Sequence, residues 1–229
     1  MALLPSGDLL LSTEESNLKT ISCSSSKVEP TKYSVNPLIT LAVHVTIDHK
    51  ILVGAREVQP NHFPVNGPRQ VIMMTIDGRI EKVYHMDNKG KQMFTVPRRI
   101  TTDNDNNIYV IDILNEDWAG KIVALDETNG VRWIYSGHPD INKEHTFKPV
   151  ALVATKSDNI IVTESTHHII HILNISGECI HYMNTKDQLG IQLPNSLDID
   201  NAGILYIGCK TYNRAPDEAK IYTVQVSGF

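Results

Sequence analysis

Residues 97–112 read PRRITTDNDNNIYVID, and residues 149–164 read PVALVATKSDNIIVTE. In both stretches, two runs rich in aliphatic and β-branched residues flank a short turn of Asp, Asn, Thr, Ser or Lys. This pattern predicts an antiparallel β-hairpin. A proline opens each stretch, at Pro97 and Pro149, which favours the first residue of a strand because proline has no N–H for the interior of a sheet.

The second strand of this hairpin recurs five times, as DLLLST, KILVGA, NIYVID, NIIVTE and ILYIGC. Aligned on their third apolar residue, these strands place Leu11, Val53, Val110, Val162 and Ile207 in register. The separations are 42, 57, 52 and 45 residues, close to the period of a four-stranded propeller blade. Further strand pairs flank the turns DGR, ETNG and ISGE, and no helical periodicity is sustained. The sequence therefore predicts an all-β chain, a β-propeller of four-stranded blades.

Five blades are expected, at approximately residues 1–35, 36–96, 97–148, 149–193 and 194–229. The first unit has almost no first strand and the last has no visible fourth strand. Because propellers close by pairing strands from their two ends, we expect the five blades to be part of a six-bladed propeller. The open blade edge would then allow self-association.

Composition excludes several classes of protein. The net charge is −5, which argues against a protein that coats nucleic acid, and no apolar run approaches the roughly 20 residues of a membrane span. The start, MALLPSGD, does not resemble a signal peptide. Cys23, Cys179 and Cys209 form no CxxC pair, so we predict reduced thiols and a cytoplasmic protein with no membrane partner.

Four long phrases carry a resemblance to a known family: LAVHVTIDHKILVGARE (41–57), DNKGKQMFTVPRRITTDNDNNIYVIDI (87–113), KIVALDETNGVRWIYSGHP (121–139) and PNSLDIDNAGILYIGC (194–209). From about Leu41 onwards, the chain resembles the C-terminal NHL-repeat propeller of tripartite-motif proteins, in particular the expanded set of bivalve molluscs. In that family a RING finger, B-boxes and a coiled coil precede the propeller. The RING makes those proteins ubiquitin ligases, and the propeller recruits a target protein or RNA.

The resemblance implies that this chain is the substrate-recognition region of a ligase-like protein. It has no cysteine–histidine spacing of a zinc module, so no residue of ligase chemistry can be carried over. From the sequence we therefore predict that the chain is not an enzyme, has no catalytic residue and no cofactor, and binds a protein partner. RNA is the alternative partner, and no small-molecule substrate is identified.

The binding face is predicted from loop length. In a propeller, connections between second and third strands and between blades share one face, and here these connections are long, which is typical of functional loops. They hold ten Lys and Arg against eight Asp and Glu, too small an excess to predict RNA binding alone. Because Trp, Tyr and Arg dominate interface hot spots, we select candidate contact residues near these loops. They are His62, Phe63, Arg69, Arg98, Arg99, Trp118, Lys148, Tyr212 and Arg214.

Two of these choices have alternatives. Trp118 is equally compatible with an aromatic side chain folded back onto its own blade. Arg98 and Arg99 follow Pro97 at the start of a first strand, so one of them is a candidate for the central channel, or both pair with acids of the neighbouring blade.

A calcium-dependent propeller hydrolase is a further alternative, with Asp103, Asp198, Asp200 and His44 as the inward candidates. Asp103 and Asp200 sit at turn positions, where aspartate bonds its own backbone, so the sequence disfavours this hypothesis.

The HHxxH stretch formed by His167, His168 and His171 suggests a metal site at first sight. The zinc-binding helical pattern needs a helix and an intervening glutamate, whereas IIHILN is predicted as a strand with His167 and His171 on one side and His168 on the other. We therefore predict ordinary strand histidines and no metal.

Overall fold

The computed structural model describes residues 1–126, 130–210 and 219–225. These residues form five antiparallel sheets that follow one another along the chain as the blades of a β-propeller. The predicted all-β propeller is confirmed, with five blades. The sixth blade stays a prediction.

The blades are built from nineteen strands within the described residues. Blade 1 contains β1 (Ala2–Leu3), β2 (Leu9–Leu11), β3 (Asn17–Ile21) and β4 (Val28–Ser34). Blade 2 contains β5 (Ile39–Val45), β6 (Ile51–Arg56), β7 (Arg69–Met74) and β8 (Ile80–Tyr84). Blade 3 contains β9 (Pro97–Thr102), β10 (Ile108–Ile113), β11 (Gly120–Asp126) and β12 (Gly130–Tyr135). Blade 4 contains β13 (Pro149–Ala154), β14 (Ile160–Glu164), β15 (Ile169–Leu173) and β16 (Cys179–Asn184). Blade 5 contains β17 (Pro194–Ile199), β18 (Ile204–Cys209) and β19 (Ile221–Gln225).

Strands follow chain order within each blade, and the first strands of successive blades pack on one another. Antiparallel pairing places the connections between second and third strands on the same face as the connections between blades. We call this face the long-loop face. Its longer connections are residues 57–68, 85–96, 114–119, 136–148 and 185–193. The last of these includes the short helix α1 (Thr185–Leu189).

The core lies between blades, around their second strands. Every residue of β6, β10 and β14 is buried. Of the residues predicted in register, Val53, Val110, Val162 and Ile207 are fully buried. Blade 1 differs, because in its three-residue β2 the inward side chain is Leu10.

Two further findings concern membrane-spanning helices and the cysteines. Among the described residues, no helix has the length and apolar character required to span a lipid bilayer. Cys23, Cys179 and Cys209 form no disulfide with one another in the structure.

A hydrogen bond joins the first strands of blades 2 and 3. His44 Nε2 on β5 lies 3.0 Å from Thr102 Oγ1 on β9. Burial, and then the charge of the chain's amino terminus, lowers the pKa of His44 from 6.5 to about 4. The ring therefore stays neutral in the folded protein under mildly acidic conditions.

This pKa predicts a specific loss of stability in acid. Between pH 6.5 and about 4 the unfolded chain binds a proton at His44 that the folded chain does not, so the free energy of unfolding falls as pH decreases. In His44→Gln, which keeps a hydrogen-bonding group, we expect the fall between pH 7 and 4 to be smaller by up to about 3 kcal/mol. Urea unfolding across this range measures it. The exposed turn residue His49 is the control, and His49→Asn should follow the wild type. Equal pH slopes in His44→Gln and wild type would contradict the assignment.

Candidate functional site on the long-loop face

A groove of about 230 Å³ opens on the long-loop face between blades 2 and 3. The buried side chains of Val96 and Ile113 line it, together with the aromatic side chains of Phe63 and Trp118. Polar groups are supplied by Asn61, His62, Arg98, Asn115 and Glu116. The structure thus brings four residues selected from the sequence, His62, Phe63, Arg98 and Trp118, to one cavity from three separate segments.

Trp118 is held over this groove in an uncommon backbone conformation. Its φ is 65°, in the left-handed region, which costs a bulky residue about 1–3 kcal/mol. A turn produces this conformation, because Trp118 N–H donates to Asn115 O and Asn115 Oδ1 accepts Ala119 N–H, both at 3.1 Å. The residue Trp118 is 50% exposed, and the Arg98 guanidinium carbon lies 5.0 Å from its ring centroid. The side chain is therefore presented to solvent beside an arginine.

Two buried arginines shape the connection 57–68, which carries His62 and Phe63. Arg56 and Arg69 are register partners at the ends of β6 and β7. Arg69 Nε lies 2.5 Å from Glu57 Oε2, and its Nη2 donates to His62 O at 2.7 Å. Arg56 Nη1 donates to the carbonyl oxygens of residues 57, 59 and 61. Arg69 is fully buried, which corrects the prediction that it touches a partner. It positions the loop instead.

The other selected residues lie away from the groove. Arg99 is exposed on β9, and burial together with the charge of Arg99 lowers the pKa of the Met1 amino group. Arg99 therefore lies near the start of blade 1, and its assignment to the channel stays a prediction. Lys148 donates its backbone N–H to the carboxylate of Glu164 in a second polar cluster. Tyr212 and Arg214 fall outside the described residues.

A second polar cluster on this face surrounds the buried carboxylate of Glu164, the last residue of β14. Its Oε1 lies 2.9 Å from His167 Nδ1 and accepts Lys148 N–H at 3.2 Å. Its Oε2 accepts Asn142 Nδ2 at 3.1 Å and lies 3.3 Å from His171 Nε2. Burial raises the pKa of Glu164, but the hydrogen bonds from His171, Asn142 and His167 outweigh it, so the pKa lies below its ordinary value. The carboxylate is therefore ionised at neutral pH.

Two more side chains complete this cluster. His145, in the connection between blades 3 and 4, stacks on His167 with ring centroids 3.5 Å apart and an interplanar angle of 10°. Its Nδ1 lies 3.8 Å from Glu164 Oε1. On the inner side, His171 Nδ1 lies 3.0 Å from the hydroxyl of Tyr135. Buried groups thus fix one side of the carboxylate, while two partly exposed imidazoles face the other.

The local structure differs from the strand predicted for the HHxxH stretch. A 3-10 turn, Ser165–His167, follows β14, and β15 begins only at Ile169. His168 ends the turn with φ 59°, and its Nδ1 accepts Leu193 N–H at 2.9 Å. As a result, His167 and His171 reach opposite oxygens of Glu164 instead of sharing one side of a strand. Sequence reasoning missed both Glu164 and His145, because blade packing brings them together across nineteen residues.

The carboxylates considered for a hydrolase do not converge. Asp103 accepts Tyr109 Oη at 2.7 Å and Asn107 N–H and Nδ2, each at 2.8 Å, within its own hairpin. Asp200 likewise accepts Ile204 N–H at 2.9 Å and Tyr206 Oη at 3.1 Å in a different blade. Both serve the turns that their positions predicted.

Comparison with known proteins supports the fold. No protein-family model matches the chain, and no curated protein matches it in sequence. A streptogramin B lyase structure matches with a TM-score of 0.61 and 14% identity, over 99% of this chain and 68% of that chain. A luciferin-regenerating enzyme matches with a TM-score of 0.65 and 12% identity, over 98% of this chain and 75% of that one. A gluconolactonase from Xanthomonas campestris matches with a TM-score of 0.62 and 11% identity, over 90% of this chain and 66% of that one.

At this identity the likeness establishes the propeller fold alone. It nevertheless overturns one expectation. The prediction that the chain is not an enzyme is contradicted, because solved structures that share its fold are named as enzymes. Propeller architecture does not separate recognition from catalysis, and function must be argued from the sites.

The conformation of Trp118 predicts an unusual order of stabilities. Replacing it with glycine removes a cation–π contact of about 0.5–1 kcal/mol but relieves a left-handed conformation that glycine adopts freely. We expect Trp118→Gly to lie within about 1 kcal/mol of the wild type, and Trp118→Ala to be less stable than the glycine variant by about 1 kcal/mol. Urea unfolding of the three proteins measures this. An alanine variant more stable than the glycine variant would show that the backbone is not strained.

Proposed function

We propose that this chain recognises a partner protein through the groove on its long-loop face. The observation that carries the proposal is the meeting of Phe63, Trp118 and Arg98 over a buried apolar floor. A half-exposed tryptophan held in a strained conformation beside an arginine is a costly arrangement for a residue without a ligand. Aromatic side chains and arginine are also the residues that dominate binding hot spots.

The charges of the groove indicate the segment it would receive. Burial, and then the charges of Arg56 and Arg98, lower the pKa of His62, so this imidazole is neutral at pH 7. Arg56 is buried beneath the loop, so the charged side chains that line the groove itself are Arg98 and Glu116, and Arg98 is the one that can pair with a carboxylate. The expected occupant is a segment with an apolar side chain for the cavity and a neighbouring carboxylate for Arg98.

The resemblance to tripartite-motif proteins supports a wider proposal. The chain would be the recognition region of a cytoplasmic ligase-like protein, and the groove would hold the protein that is to be modified. In this proposal the five blades belong to a six-bladed ring.

A photo-crosslinking experiment tests the groove. A photoreactive amino acid at position 63 should crosslink a protein from cytosolic extract, whereas the same group at position 48, on the short-turn face, should not. Trp118→Ala, made in the protein that carries the photoreactive group at position 63, should reduce the crosslinking yield by about tenfold or more, as expected for a hot-spot residue. The control Tyr182→Ala, which removes a half-exposed aromatic side chain outside the groove, should leave the yield unchanged. Equal yields from positions 63 and 48 would contradict the proposal. A product that nuclease destroys and that weakens steeply with salt would favour RNA instead.

Catalysis is the second candidate, and the Glu164 cluster is the observation that favours it. The side chains of His167 and His145 are 25% and 31% exposed and rest against a buried carboxylate, an arrangement suited to a general base. The named gluconolactonase suggests a lactone as the trial substrate, with His167 taking the proton of the attacking water.

Lactone hydrolysis separates the two candidates. If the cluster is catalytic, the chain will open a sugar lactone, and His167→Gln will reduce the rate by about a hundredfold or more while Trp118→Ala leaves it unchanged. Proton release followed with a pH indicator gives the rate. Wild-type and His167→Gln rates that both equal the uncatalysed rate would exclude this activity.

A further inference from the structure

Two blades carry an acidic residue at the same place but balance its charge differently. Asp112 is the register partner of Pro97 in blade 3, and Glu164 is the register partner of Pro149 in blade 4. Both side chains are fully buried, and both accept backbone N–H groups of the residues that lead into the first strand. The position is therefore structurally equivalent in the two blades.

The counter-charge differs. Asp112 pairs across the sheet with Lys121, whose Nζ lies 3.5 Å from its Oδ2. The residue opposite Glu164 on β15 is Ile169, which carries no charge. A buried carboxylate without a cation is costly. In blade 4 three imidazoles gather around it in place of the lysine.

The ligand atoms of three of these residues converge. One atom from each of His145, Glu164 and His167 lies within 4.8 Å of the other two. The two imidazole Nδ1 atoms are 3.8 and 2.9 Å from Glu164 Oε1, close to the roughly 3.4 Å separation of ligands around a tetrahedral Zn²⁺. Because the rings of His145 and His167 are stacked nearly parallel, their in-plane lone pairs do not point at one ion, so His145, in its partly exposed connection, must turn out of the stack to bind it. Moving the His167 proton from Nδ1 to Nε2 frees Nδ1 as a ligand without any change in charge.

We propose that His145, His167 and Glu164 bind one divalent transition-metal ion, with Zn²⁺ as the best match. Imidazole nitrogen and carboxylate oxygen are ligands that Zn²⁺ accepts, and the ion supplies the positive charge that Lys121 supplies in blade 3. Three protein ligands leave a fourth position for water or a ligand, and the partial exposure of both histidines gives solvent access to it.

The surrounding groups fit an orienting role. Asn142 and His171 bond Glu164 Oε2, and Tyr135 in turn bonds His171, so Oε1 is aimed at the two outer histidines. Such partners of a ligating carboxylate fix its orientation and raise metal affinity. The proposal does not rest on partner recognition or on catalysis.

Zinc binding to the untagged full chain tests it. After treatment with a chelator and dialysis, the protein is titrated with Zn²⁺ in competition with a chromophoric zinc chelator, and Co²⁺ is used to record the absorption of a four-coordinate site. We expect one ion per chain. His145→Gln and His167→Gln should each lower affinity on the order of a hundredfold, and Asn142→Ala by about tenfold. His49→Asn, which removes an exposed histidine on the other face, should bind as the wild type does.

His145→Gln is the decisive variant, because this partly exposed loop residue can be changed without emptying the core. Circular dichroism of each metal-free variant is the control that tests whether it is folded. Absence of stoichiometric uptake by the wild type would overturn the proposal. Uptake that survives both histidine changes would do the same, since the ion would then lie elsewhere. If only a proton balances Glu164, the wild type will take up no Zn²⁺, whatever the effect of pH on its stability.

Discussion

Each central blade of this propeller buries its second strand between two neighbouring blades, and the rest of the molecule depends on that constraint. Strands that are buried on both faces, as β6, β10 and β14 are, cannot also carry exposed binding groups. In these three strands the charged side chains, Arg56, Asp112 and Glu164, lie at or next to the end that leads into a long-loop connection. Antiparallel pairing then sorts the connections into one face of short turns and one of long loops.

Both candidate sites depend on the hydrogen bonds made by buried charged side chains at strand ends. In blade 2, Arg56 at the end of β6 and Arg69 at the start of β7 donate hydrogen bonds to carbonyl oxygens of the connection between them, which carries Phe63. In blade 4, Glu164 at the end of β14 accepts hydrogen bonds from amide and imidazole groups of two connections. In each case a buried charged side chain at a strand end bonds groups of a neighbouring connection, and that connection carries exposed side chains of the candidate site.

The sequence predicted the part of this structure that repeats. Regular spacing of short apolar strands predicts blades, and alternating loop length predicts which face carries the groove. Side-chain pairing between blades does not repeat along the chain, so it could not be predicted from the spacing of the strands. Arg69 resembles any loop arginine until its register with Arg56 is known. His145 and Glu164 are nineteen residues apart, and only the packing of blade 3 on blade 4 brings them together. The left-handed φ of Trp118 likewise has no signature in its neighbours.

The equivalence of Asp112 and Glu164 has a consequence for how such proteins diversify. Both residues hold the chain as it enters a first strand, so either blade keeps its architecture whichever acid is present. The opposing position on the third strand, Lys121 in one blade and Ile169 in the next, is free to differ. Lys121 balances the charge of Asp112 within its own blade, whereas the uncharged Ile169 leaves Glu164 to be balanced by other groups, among them the ion proposed above. Duplicated modules can thus gain new chemistry at a joint that their folding already requires.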